Sequence, residues 1–97
     1  MKWLVERRLS DVSARLRKSR DELTVLGAQL GQLSEEADDA RLHSLVAETP
    51  LADREFRDSQ RHADAFDSQR ARLIARIAEL EKTQDQLLEK LSGARHP

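Results

Sequence analysis

Apolar and small residues recur with a seven-residue period on both sides of a Thr49-Pro50 break, and few folds can satisfy both runs at once. Upstream, Leu9, Leu16, Leu23, Leu30 and Ala37 form one column, and Val5, Val12, Ser19, Leu26, Leu33 and Ala40 form the other. These are the a and d positions of a heptad. Downstream, Ala52, Ser59, Phe66, Leu73, Leu80 and Leu87 take d, while Phe56, Ala63, Arg70, Ile77, Gln84 and Leu91 take a. A 3.5-residue apolar period gathers on one side of an α-helix and scatters over both faces of a strand. Two such helices joined by a tight turn bury their stripes most directly against each other. The predicted fold is all-α: an antiparallel two-helix coiled-coil hairpin forming one domain over 1–97.

The register follows from arithmetic. In an antiparallel pair each a position faces a d position at a constant index sum, and a sum of 96 pairs Leu9 with Leu87, Leu16 with Leu80 and Leu23 with Leu73. The same sum places Leu30 against Phe66, Leu33 against Ala63 and Ala40 against Phe56. On the flanks it predicts ion pairs Glu22–Arg76, Glu36–His62 and Arg41–Asp53, with Arg8 beside Lys90 as a mismatch. Exposed pairs contribute roughly 0.2–1 kcal/mol each, so they select register more than they stabilise. Ser19, Ser59, Arg70 and Gln84 are polar positions inside the seam, the kind of layer that fixes register at some cost in stability.

Boundaries follow from local chemistry. The first helix is expected over about 2–47, the turn at 48–50, the second helix over about 50–92 and a frayed tail at 93–97. Thr49 is an N-cap residue and Pro50 suits the first helical position, where its missing N–H is harmless. Gly93 is the expected stop. Gly27, Gly31 and Ser34 mark a weak place in the first helix, with a break into three helices as the alternative to a continuous helix. Close backbone approach by a partner or ligand is the functional counterpart of that weak place.

Several apolar residues fall outside the seam. Leu42, Leu45 and Val46, followed by Leu51 after the turn, point to a stutter in the heptad. These four are expected to wrap around the tip and close its small core, with an exposed knob for another protein as the alternative. At the other end Trp3, Leu4, Ile74 and Leu88 widen the stripe, so two hairpins are expected to dimerise there into a four-helix bundle. A lone pair of helices buries little surface, and self-association or another protein partner is expected on that ground as well.

Composition narrows the function classes. The charged fraction is 36% with 3% aromatic, as in long helices that bury a single stripe. A net charge of −1 argues against direct nucleic-acid binding, which normally needs a basic excess on one face. No apolar run approaches the roughly 20 residues of a membrane span, Met1-Lys2-Trp3 opens no signal-peptide core, and there is no cysteine; the expected location is the cytoplasm. Thirteen arginines against four lysines point to a GC-rich, bacterial genome.

Catalytic chemistry is not expected. His43, His62 and His96 lie in no metal-protease or paired-histidine spacing; His62 with Glu36, Asp58 or Asp39 is the one conceivable metal cluster, and an exposed charge pair is the plainer reading. There is no glycine-rich phosphate loop and no nucleophile elbow. Asp38 and Asp39 are adjacent in sequence and diverge on a helix. No enzyme activity, metal or cofactor is predicted.

Two families were compared on their motifs. The architecture is similar to helical hairpins whose acidic tips enter the RNA polymerase secondary channel, although here Glu48 and Asp53 alone flank the turn and the second domain of that group is missing. In the small coiled-coil anti-sigma factors controlled by cyclic di-GMP, the helix motif is Glu-x3-Ser-x2-Arg-x3-Gln-x3-Asp. This chain has Glu55 and Ser59 in step, but His62, Phe66 and Arg70 replace the other three, so nucleotide binding does not carry over. The expected function is a non-catalytic coiled-coil module for protein–protein interaction, homodimeric, with Leu42, Leu45, Val46 and Leu51 as partner-binding residues. The alternative is a transcription regulator docking on RNA polymerase or a sigma factor through Arg54, Arg57 and Arg61.

Overall fold

A computed structural model of the chain describes residues 1–95. Two helices account for nearly all of them: α1, Lys2–Ala47, and α2, Pro50–Arg95, with no strand among the described residues. The helices fall into two compact units. The turn unit is Thr24–Arg72 and contains the hairpin itself, while the base unit joins Met1–Leu23 to α2 from Leu73 onward. Leu23 with Leu73, and Thr24 with Arg72, each sum to 96, so the division respects the register expected from the heptads.

The turn is built by two residues. Glu48 adopts a left-handed backbone, φ 53°, and its N–H donates to the Ser44 carbonyl at 3.1 Å, which closes the last turn of α1. Thr49 then caps α2: its Oγ1 accepts from the Ala52 N–H at 3.2 Å, and its carbonyl accepts from the Asp53 N–H at 3.1 Å. Pro50 takes the first helical position and Asp53 lies in the first turn, near the positive end of the helix dipole.

In the base unit the seam is aliphatic. Val12, Leu16, Leu73, Ile77 and Leu87 are buried, and Val5, Leu9, Leu23, Leu80 and Leu91 are half-buried. The polar seam residue Gln84 is half-buried and donates from Nε2 to Ser13 Oγ at 3.2 Å, a bond from α2 to α1 that ties the register with a polar link. Ser19 is buried in the same seam.

In the turn unit the seam is mostly small. Leu26, Ala37, Ser44, Ala52 and Ala63 are buried, with Leu30, Leu33, Ala40, Ala47, Phe56, Ser59 and Phe66 half-buried. Ser44 stands seven residues after Ala37 and Ala47 seven after Ala40, so the heptad runs on to the end of α1 without the expected stutter. Ser44 satisfies its hydroxyl within the helix by donating to the Arg41 carbonyl at 2.8 Å. A two-residue turn brings the helices close together, and alanine and serine allow that approach where leucine would hold them apart.

The chain departs from the sequence expectations at three further points. α1 is continuous through Gly27, Gly31 and Ser34, since two helical glycines cost about 1 kcal/mol each while Leu26, Leu30 and Leu33 anchor the segment. Gly93 does not stop α2: it has no left-handed backbone, and the helix continues to Arg95, through residues expected to fray. His96 and Pro97 lie outside the described residues. None of the pairs Glu22–Arg76, Glu36–His62 and Arg41–Asp53 closes to ion-pair distance; long exposed side chains gain too little from pairing to be held there. The ion pairs seen among the described residues are Lys2–Glu6 at 3.9 Å, Arg20–Glu81 at 3.5 Å and Arg61–Asp58.

Candidate interaction surfaces

The strict heptad at the end of α1 decides where its large side chains go. With Ser44 and Ala47 in the seam, Leu42, Leu45 and Val46 are turned outward, at spacings of three and four residues that place them on one face. Val46 is 84% exposed, and Leu42, Leu45 and Leu51 are each more than 60% exposed. The wrapped core expected at the tip is therefore absent, and the knob is present. Leu51 lies on α2 just before the buried Ala52, in the first turn after the cap.

Arg54, Arg57 and Arg61 are all exposed on the outer side of α2 in the turn unit. Arg57 and Arg61 line a shallow groove with Phe56 and Gln60. Arg61 is bound to Asp58, and Gln60 donates to Asp64 at 3.0 Å, so this groove is a partly neutralised surface beside an aromatic edge. Phe56 was assigned to the seam alone. Its incomplete burial could have been anticipated from the alanines at Ala37 and Ala40, which are too small to cover a phenyl ring. Arg70, also at a seam position, reaches solvent, as its long stem permits.

In the base unit Trp3, Leu4, Ile74 and Leu88 are exposed, between 41% and 56%. They do not make a continuous stripe. Successive residues on a helix differ by about 100°, which puts Leu4 on the other side of the outward face from Trp3. Ile74 and Leu88 are two heptads apart, about 21 Å, and Glu81 between them is paired with Arg20. A separate groove of this unit is lined by Arg15, Lys18, Ser19, Glu22, Arg76 and Leu80. Glu22 and Arg76 thus share a groove without pairing.

The glycines leave open space. A methyl group at Gly27 or Gly31 would meet nothing within 4 Å, so neither is required for a close approach inside the molecule. Val25, exposed on the outer face of α1, is an apolar residue that the sequence reading did not single out. Among the described residues no group of three or more histidine, cysteine, aspartate or glutamate side chains could hold a metal ion; His62, Glu36, Asp58 and Asp39 do not converge. Among the same residues no helix is long and apolar enough to cross a membrane. No protein-family model, no curated protein and no solved structure matches this chain.

Proposed function

We propose that this chain is a non-catalytic helical-hairpin module that binds protein, itself included, through exposed side chains outside its seam. The observation that carries the proposal is the tip: three large apolar residues on one face of α1, Leu42, Leu45 and Val46, remain in water while alanine and serine fill the seam beside them. Exposed apolar side chains clustered in this way mark interaction surfaces. Trp3 and Leu4 in the base unit supply a second apolar surface, and association of two hairpins into a four-helix bundle remains part of the proposal. The decisive experiment compares capture of partners by the full chain and by a Leu45→Glu variant of equal helicity. A module of this kind loses capture and self-association when the knob is charged; unchanged binding by Leu45→Glu would remove the tip from the proposal.

A second reading, docking on RNA polymerase or a sigma factor, is supported by the groove in which Arg57 and Arg61 flank Phe56. Arginine beside an aromatic edge suits an acidic amphipathic helix. Recovery of polymerase subunits by the native chain, and their loss with Arg57→Glu but not with Leu45→Glu, is the outcome specific to that reading.

A further inference from the structure

The charges of the chain are sorted between its two units. The base unit holds eleven lysines and arginines against eight aspartates and glutamates, a net +3, whereas the turn unit holds six against ten, a net −4. The sorting is sharpest on the outward face of α1, next to the two apolar surfaces. Asp38 and Asp39 precede Leu42 by four and three residues and Glu35 precedes it by seven, so the knob has three carboxylates on its own face and no basic residue among them. Arg7 follows Trp3 and Leu4 by four and three residues, and Arg17 and Lys18 continue that face beyond Asp11, its single acid. Glu35, Asp38, Asp39, Arg7, Arg17 and Lys18 are all exposed, and none takes part in an ion pair within the chain.

We infer that the knob of one copy docks on the Trp3–Leu4 surface of a second copy, with the carboxylates of Glu35, Asp38 and Asp39 against Arg7, Arg17 and Lys18. This rests on the self-association in the proposed function and states which surface meets which. Laid antiparallel, the two faces match: apolar residues meet apolar residues, and acids meet bases. The homotypic alternatives place like charges together, three carboxylates against three in a knob-to-knob contact and three cations against three in a base-to-base contact. Like charges brought together as water is excluded oppose association, and opposite charges favour it and steer the encounter.

Charge exchange tests the pairing. One variant carries Asp38→Lys and Asp39→Lys, the other Arg7→Glu and Arg17→Glu; all four positions are exposed, and far-UV circular dichroism checks that helicity is retained. Sedimentation of the full chain is expected to show self-association that weakens as NaCl is raised from about 0.05 M to about 0.5 M. Each variant alone is expected to associate at least about tenfold more weakly than the native chain, and an equimolar mixture to regain native association, since every knob then finds a base of opposite sign. If the aspartate variant associates as well as the native chain, the contact is base to base; if the arginine variant does, it is knob to knob. Either result overturns the pairing and leaves a self-associating module in place. A native chain that stays monomeric at all concentrations removes the pairing and the self-association together, while partner capture through Leu45 is judged separately.

Discussion

The base unit and the turn unit use one heptad and fill it in opposite ways. In the base unit the large aliphatic side chains are inside, with Leu16 at 1% exposure, and the outward positions are mainly charged. In the turn unit Ala37, Ser44, Ala52 and Ala63 are inside, while Leu42, Leu45, Val46 and Leu51 are outside. Hydrophobicity alone would place these residues the other way round. Geometry decides the exchange: a turn made of Glu48 and Thr49 draws the helices together, and the seam beside it has room for small side chains only. The leucines left over become available for binding. Their exposure is a consequence of how the hairpin closes.

Substitutions can break this comparison. Leu16→Ala, in the base unit, is expected to cost about 2–5 kcal/mol in urea unfolding, the range for emptying a buried leucine site. Ala52→Leu, in the turn unit, is expected to cost about 1–3 kcal/mol for the opposite reason, overpacking a seam that has no room. Were Ala52→Leu to stabilise the protein, the account of a turn that demands small residues would fail. Thr49→Ala removes the hydroxyl that accepts the Ala52 N–H, an expected loss of about 1 kcal/mol; comparing hydrogen exchange of the Ala52 and Asp53 amides in the two proteins localises it to the cap.

Smaller effects sharpen the contrast further. Gly31→Ala is expected to raise stability by up to about 1 kcal/mol, because the added methyl enters open space on a helical backbone; a loss on thermal melting would mean that the space is occupied in solution. Smallest is Leu45→Ser, within about 0.5 kcal/mol for the unassociated chain, since an exposed leucine adds little to its own fold. A cost for Leu45→Ser approaching that of Leu16→Ala would place Leu45 inside and erase the difference between the units.

Much of the fold is legible in the heptads. The columns through Leu9 and Val5, continued strictly to Ser44 and Ala47, name nearly every buried residue of α1, and the index sum of 96 is respected by both units. The wrapped tip expected from Leu42, Leu45 and Val46 shows the limit of reading by residue type. Ser44 does not look like a core residue, yet its position in the repeat outweighs its polarity once the hydroxyl bonds to the Arg41 carbonyl. The expected break at Gly31 to Ser34 failed for a related reason. Propensity is local, about 1 kcal/mol per glycine, whereas the seam anchors the helix on both sides of the weak place.

By itself the sequence determined the two helices, their turn and their register, because a seven-residue period and a Thr-Pro start act through local geometry and need no knowledge of what lies opposite. The tertiary structure alone decided which apolar residues stay in water and which flank charges go unpaired. Both depend on the distance between helices, and that distance is set by the side chains in the seam and the turn that joins them.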